Sequence, residues 1–368
     1  MKTLKTLLLV LMLMPLLGGR AYAEELNEEA AKETGLYALN ELLNDEEREI
    51  SGAVTADGSY DAGGAMMRLW QKFLSSVVNE LRSSIGFGAS LIAVALLCTL
   101  GGALCGSRNI ADYIEIGGCC AAAAVTLGGV DGLIAQTVES MYRLSDYSKA
   151  ALPVVFTAAA AGGAITSASV KFAAVIFALD VLMSIGQKLV IPTVYAYLAV
   201  SVANSAFPNP LMNAAARFTK WLSTIMMTGM TIAFTAYIGM TGVISSSADA
   251  AAVKTARTLI SHALPVVGGM ISDASAAVLA AASVIKNCAG VFGLISVCIL
   301  CAGPFAVLSV KMLILRAAAA VTESMEGTRL SALFTGVSNA MGMMLGLLGC
   351  CGIMLFISLM AGMKAVSG

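Results

Sequence analysis

Carboxylates inside apolar stretches are the residues of this sequence best suited to chemistry. Asp131, Asp180 and Asp273 lie within or beside apolar runs of the chain. A charge at membrane depth is costly unless it faces water or a partner, so such residues commonly line ion or proton pathways. Asp131 and Asp180 could equally mark the ends of membrane spans. Asp273 is the strongest candidate for a pathway residue, because it lies inside a repeated motif.

The repeated motif is the phrase ALPVV, which occurs twice, each time followed closely by a Gly-Gly block. Its members are Pro153, Gly162 and Gly163 in the first copy, and Pro265, Gly268 and Gly269 in the second. Proline removes a backbone hydrogen bond, and backbone freed at membrane depth must be covered by protein or water. Matching interrupted segments are typical of transporter pathways. The motif predicts broken or re-entrant helices facing the bundle interior. The alternative is prolines that begin helices and glycines that permit close packing.

The known patterns of catalysis and metal binding are missing from the sequence. No glycine is followed by lysine, so the chain has no P-loop for a nucleotide. His262 is the only histidine, which excludes a metal site built on paired histidines. Cys298 and Cys301 have C-x-x-C spacing, but no second pair completes a zinc site. We therefore expect no enzymatic activity, no metal and no cofactor, with any energy supplied by another protein.

The composition indicates the element type that must position these residues. The chain of 368 residues is 58% hydrophobic and only 12% charged, whereas soluble proteins have about 25% charged residues. Several apolar runs, including those from Ser83 and Leu222, exceed the roughly 20 residues that cross a bilayer as a helix. The sequence predicts an all-α polytopic membrane protein of about seven spans, within a range of six to nine. Lysines and arginines are scattered over nearly every polar break, so charge bias does not settle the count.

The N-terminal region predicts an exported segment. Residues 1–23 have two lysines, an apolar stretch and the triplet Ala-Tyr-Ala, the layout of a cleavable secretory signal. An uncleaved anchor is the alternative. Residues 24–61 then carry twelve acidic and two basic residues, a charge that nucleic acid phosphates would repel. We predict that 24–62 is an acidic extracytoplasmic segment.

The rest of the chain divides into four predicted units. Residues 63–82 place apolar side chains and Trp70 on one helical face, which favours an amphipathic helix at the membrane surface. Packing of this helix against a partner protein is the alternative. A first membrane hairpin is predicted over 83–144. If the repeated motif reflects a duplication, 145–247 and 257–363 are two membrane repeats.

The segment that begins VKTARTLISHALPVVGGMISDA at Val253 resembles the stage III sporulation protein AE family of endospore-forming bacteria. The resemblance covers nearly the whole chain, and PVVGGMISDA is its most telling part. It implies a multipass component of the assembly that joins mother cell and forespore, in the mother-cell-derived membrane around the forespore. The implied partners are other proteins of the stage III sporulation A operon, including a cytoplasmic ATPase and ring-forming proteins. The resemblance identifies no functional residues.

Two classes of function follow from these observations. The first is a non-enzymatic component of a channel or export-like apparatus, embedded in the lipid bilayer and needed for spore development. The second is a self-sufficient secondary transporter for a small solute, which the repeat and Asp273 would suit. A purely structural scaffold is a third possibility.

Overall fold

The structure, a computed structural model, describes residues 39, 42–52, 61–104, 108–161, 165–263, 268–325 and 327–363. Within these ranges it does not describe the side chains of 103, 108–109, 158–159, 161, 165–168, 170–171, 241–263 and 268–288. Its helices are α1 (Asp45–Ser51), α2 (Ala62–Leu104), α3 (Arg108–Ala161), α4 (Ile165–Ile185), α5 (Ile191–Ala206), α6 (Pro210–Ala263), α7 (Gly268–Ser324) and α8 (Thr328–Met363). A single π-helical turn, Gly186–Val190, joins α4 to α5. Strands are absent from these described ranges, which confirms the predicted all-α class.

The described residues contain six stretches long and apolar enough to cross a membrane. They are Ala62–Gly102, Ile110–Thr157, Phe172–Ala206, Pro210–Met240, Ala289–Ser324 and Thr328–Met363. The protein is therefore a polytopic helical membrane protein. Six spans lie within the predicted range and one below the expected seven.

Helix α3 is one continuous element where the repeated motif predicts an interruption. It continues through a polar connector and through Pro153 to Ala161. The connector, residues 136–149, contains neither glycine nor proline, so nothing in it ends a helix. Pro153 therefore lies inside a helix and does not interrupt it.

The predicted amphipathic helix is also part of a longer element. Residues 63–82 form the first turns of α2, a continuous helix of 43 residues that includes the first span. Ser84 donates from its Oγ to Glu80 Oε1 at 2.8 Å across the expected boundary. The serine pair at 83–84 is thus compatible with the helix.

Among the described prolines, those that lie at helix boundaries fall between α4 and α6. The π-helical turn precedes Ile191 and Pro192, which begin α5, and π-helical turns commonly mark helix irregularities. Pro208 lies in the loop between α5, which ends at Ala206, and α6, which begins at Pro210. Proline suits the first position of a helix, whose backbone needs no donor there.

The bundle has two ends, which we call the N-terminal end and the loop end. At the N-terminal end, α1 and the start of α2 lie near the ends of α3 and α8; a Cβ at Gly362 would lie 2.6 Å from Val155. At the loop end, α2–α3, α5–α6 and α7–α8 connect; a Cβ at Gly327 would lie 3.4 Å from Thr99. Helices α2 and α7 run in the same direction between these ends.

Helix α8 forms the centre of the bundle. It packs against α3, α5, α6 and α7, and 61% of its most apolar stretch is buried, against 17% for α2. Helix α2 therefore lies at the periphery. Its outer face carries exposed leucines, including Leu97 and Leu100, as a lipid-facing helix does.

Candidate functional site

The most densely connected polar site is a charged junction at the loop end, formed by Arg329, Glu115, Asp112 and the carbonyl of Ala206. Arg329 Nε lies 3.4 Å from Glu115 Oε2, and its Nη2 lies 3.9 Å from Asp112 Oδ1. Its Nη1 donates to the Ala206 carbonyl at 2.8 Å. One side chain of α8 thus holds the start of α3 and the end of α5.

Helix termini explain why the junction forms. The first backbone N–H groups and last carbonyls of a helix have no partner within it. The backbone N–H of Arg329, in the first turn of α8, donates to Glu115 Oε1 at 3.0 Å, where the helix dipole favours a carboxylate. Ala206 supplies a carbonyl from the last turn of α5. Because Arg329 and Glu115 are only 20% and 25% exposed, each charge depends on the other for compensation.

A second polar contact joins α2 to α7. Lys311 Nζ lies 3.3 Å from Glu80 Oε1, and both side chains are about four-fifths buried. The same ammonium lies 5.1 Å from the centre of the Phe87 ring, within range of a cation–π interaction. Lys311 is therefore a bridging residue between α2 and α7.

A third contact holds α1, which lies in the acidic N-terminal segment, to the bundle; we call it the α1 contact. Glu46 pairs with Lys72 of α2 at 2.5 Å, and Glu47 pairs with Arg143 of α3 at 2.6 Å. Arg68 Nε donates to the carbonyl of Ile50 at 3.1 Å. Apolar packing supports these pairs, because Ile50 packs against a cluster of Ala65, Leu69, Ile295 and Ile299.

Two of the three predicted carboxylates, Asp131 and Asp180, lie on the outside of the bundle. Asp131 is exposed and accepts a hydrogen bond from the Tyr195 hydroxyl at 3.0 Å. Asp180 is exposed and lines a cleft of about 390 Å³ between α3 and α4, together with Lys149 and Ser148. The structure therefore places these two residues in separate settings, one in a hydrogen bond and one in an open cleft.

The two copies of the repeated motif lie differently in the described residues, with Pro153 inside α3 and the second Gly-Gly block at the start of α7. Gly162, Gly163 and Pro265 lie outside the described residues. Gly268 and Gly269 are the first two residues of α7 and Asp273 is its sixth; the side chain of Asp273 lies outside the described part. The proposed pathway role of Asp273 stays a prediction. In the described residues, no group of three or more His, Cys, Asp or Glu is placed to hold a metal ion.

The family model of stage III sporulation protein AE matches residues 57–365 of this chain. The chain belongs to that family. This confirms the resemblance and supports a role in sporulation. The matched range includes the charged junction and the Lys311–Glu80 contact, whereas α1 lies before it.

A curated stage III sporulation protein AE from Bacillus subtilis (strain 168) is 23% identical to this chain over 229 residues. The aligned region covers 61% of the chain and 57% of that relative, so the chain spans just over half of the relative's length. No solved structure matches the chain.

Sequence reasoning missed the charged junction of this family member. Glu115 and Arg329 are 214 residues apart in the sequence. Each lies in a polar stretch between two apolar runs. A charge that borders an apolar run was the available signal, but several residues in the chain share it. Only the packing of α8 against α3 selects these two.

Proposed function

We propose that this chain is a non-enzymatic polytopic membrane component of a channel or export-like apparatus that links mother cell and forespore during sporulation. The observation that carries the proposal is helix length. Helices α3 and α7 contain 54 and 57 residues, about 80 and 85 Å at 1.5 Å per residue. A bilayer core of about 30 Å needs only some 20 residues. The surplus supports an extramembrane surface on which soluble proteins can dock.

The proposed topology places the N-terminal end outside the cytoplasm. The secretory signal predicts this orientation, and the α1 contact would then hold the acidic segment against the outer part of the bundle. Glu46 and Glu47 are engaged in ion pairs with Lys72 and Arg143, so they are poor candidates for partner contacts. Glu49 is exposed and is the acid of α1 that we assign to docking.

The proposed partners are other proteins of the stage III sporulation A operon. A cytoplasmic ATPase would supply energy, since the sequence has no P-loop, and ring-forming proteins would meet the extracytoplasmic surface. The proposed location is the mother-cell-derived membrane around the forespore. Peripheral α2 offers a further apolar surface within the membrane, because only 17% of its most apolar stretch is buried by the rest of the chain.

Affinity purification of the full chain from sporulating cells, followed by mass spectrometry, tests the proposal. We expect the ATPase and the ring-forming proteins to co-purify. Glu49→Lys should weaken recovery of the extracytoplasmic partners, while Glu139→Lys, a matched change at an exposed acid of α3, should not.

Transport by the purified protein in proteoliposomes is the measurement that could contradict the proposal. Gradient-driven uptake of a solute by the chain alone, without co-purifying partners, would replace the proposal with a secondary transporter.

A further inference from the structure

Two cationic side chains in the loop-end half of the bundle flank the same stretch of α8 and have no carboxylate partner among the described residues. Arg316 of α7 donates to Ser338 of α8. Lys220 lies about two turns before Met227 of α6, whose Sδ is 3.6 Å from the position of a Cβ at Gly346 of α8. The two positive charges are close enough to repel each other. In the described part of the chain, no carboxylate oxygen lies within ion-pair distance of either residue. The described side chains of α6, residues 210–240, include Arg217 and Lys220 but no acid. Both side chains are exposed on the bundle surface, and like charges held near each other favour a bound anion, which offsets their repulsion.

The guanidinium of Arg316 is held in place by a hydrogen bond to α8. Its Nε donates to Ser338 Oγ at 3.3 Å, and Ser338 Oγ donates in turn to the Met312 carbonyl at 3.1 Å. No described residue accepts a hydrogen bond from the two terminal guanidinium nitrogens. A planar guanidinium held at Nε presents those nitrogens in the geometry that suits phosphate oxygens.

An exposed aromatic pair lies beside the two cations. Phe218 and Trp221 have ring centres 5.9 Å apart, and both are more than half exposed. Lys220 directly precedes the apolar run that starts at Leu222, and Trp at such a boundary is typical of headgroup depth. Arg217 lies three and four residues before Lys220 and Trp221, so the three share a helix face. The surface is thus basic and apolar at once.

We propose that Lys220, Arg316 and Arg217 bind the phosphate of an anionic phospholipid, with its acyl chain along Phe218 and Trp221. Basic pockets between membrane helices bind lipid headgroups in this way. The aromatic pair favours a lipid over a soluble anion, because only a lipid brings an apolar chain to cover it. Helices α6 and α7 contact each other little in the described residues, so the headgroup bridges two elements that protein contacts leave apart.

The tryptophan content of the chain allows a direct test. The protein has two tryptophans, Trp70 and Trp221, so Trp70→Phe leaves Trp221 as the only fluorescent reporter. This variant is reconstituted in phosphatidylcholine vesicles containing equal fractions of either brominated phosphatidylglycerol or brominated phosphatidylcholine. We expect phosphatidylglycerol to be enriched at Trp221 by roughly fivefold or more, since each cation near a headgroup contributes about a fivefold preference.

Substitutions that change the charge of Lys220 and Arg316 test whether these two residues cause the enrichment of phosphatidylglycerol. Lys220→Gln combined with Arg316→Gln should remove the enrichment, whereas Lys220→Arg combined with Arg316→Lys should retain it. Lys188→Gln, at an exposed lysine of the π-helical turn, should change nothing. Size-exclusion profiles establish that each variant is folded.

Equal quenching by the two brominated lipids overturns the proposal, as does enrichment that survives in the double glutamine variant. Relief of quenching by millimolar inorganic phosphate would show that a soluble anion occupies the site instead, which also overturns it.

Discussion

Helices α8 and α2 have similar composition but opposite positions in the bundle. Both are long and apolar, and each contains six glycines. Yet most of the apolar stretch of α8 is buried by protein, while little of the corresponding stretch of α2 is. One glycine of each helix shows the same contrast. A Cβ at Gly336 of α8 would lie 2.0 Å from Ser201 Oγ, whereas a Cβ at Gly86 of α2 would meet nothing within 4 Å.

This contrast shows that hydropathy and burial are separate properties in a membrane protein. Lipid tails are as apolar as leucine, so an apolar helix gains little by leaving lipid for a protein interior. Helix position is then decided by close packing and by polar contacts between helices. Helix α8 has both, since Arg329 anchors its start and its glycines admit neighbouring side chains. The following four predictions test this difference, from the largest expected effect to the smallest.

The largest effect is expected from filling a glycine of α8. Gly336→Leu would force a branched side chain against Ser201 of α5. Overpacking typically costs about 1–3 kcal/mol and occasionally more, and we expect a loss beyond about 3 kcal/mol because even the Cβ would overlap Ser201 Oγ. Gly86→Leu is the matched change in α2 and should be tolerated. The yield of monodisperse protein and its thermal unfolding in detergent measure both. Comparable losses from the two variants would mean that α2 is also closely packed, for example by a second membrane protein.

A smaller effect is expected from shortening a buried leucine. Leu348→Ala removes a side chain of α8 that is 0% exposed, and such core truncations destabilise by about 2–5 kcal/mol. Leu97→Ala removes one of α2 that is 71% exposed and should cost less than about 1 kcal/mol, the transfer value of a methylene group. Equilibrium unfolding in mixed micelles provides both values. A cost for Leu97→Ala as large as that for Leu348→Ala would contradict the peripheral assignment of α2.

The charged junction should show an intermediate effect. In a double-mutant cycle, Arg329→Gln and Glu115→Gln should couple by about 2 kcal/mol, because the two partly buried charges lose compensation when separated. The exposed pair Lys149–Asp146, with side chains 63% and 68% exposed, should couple by less than about 0.5 kcal/mol. The unfolding free energies of the single and double variants provide the coupling. Equal coupling in the two cycles would remove the junction as an anchor of α8.

The smallest effect concerns the α1 contact, which holds the start of peripheral α2. Glu47→Gln weakens the ion pair to Arg143, and we expect a loss of about 1 kcal/mol for a partly exposed pair. Hydrogen exchange should rise in α1 and the first turns of α2 while α8 stays protected. Asp45→Asn, at a fully exposed acid of α1, serves as the control. Increased exchange throughout α8 would show that the contact supports the core as well.

Much of the architecture could be predicted from local sequence, but element boundaries could not. Run length and low charge predicted membrane helices, and the two prolines around Asn209 predicted the loop between α5 and α6. Pro153 was misjudged because a proline removes only one hydrogen bond, and a long helix packed among others tolerates that loss. The join between residues 63–82 and the first span was missed because the composition changes there while the backbone continues as a helix.

The polar sites, like the helix boundaries, could be predicted only in part from the sequence. Asp131 and Asp180 were selected because they border apolar runs, and Arg329, Glu115, Lys311 and Glu80 share that property without having been chosen as sites. The two sets of residues differ in the side chain that each one contacts, and that side chain lies on another helix. Asp131 meets a tyrosine hydroxyl at the surface, whereas Glu115 meets a guanidinium and a helix terminus together. Charge at a span boundary thus predicts a polar site but not what it contacts.

The sequence by itself determined that this chain is helical, that it crosses a membrane several times, and that it belongs with sporulation proteins. These properties depend on apolar run length, low charge and local motifs, each of which is written in consecutive residues. Tertiary structure alone decided that α8 is central and α2 peripheral, and that Glu115 pairs with Arg329. The physical reason is that in lipid the hydrophobic effect inserts helices without arranging them. Their arrangement depends on steric fit and charge pairing between residues far apart in the chain.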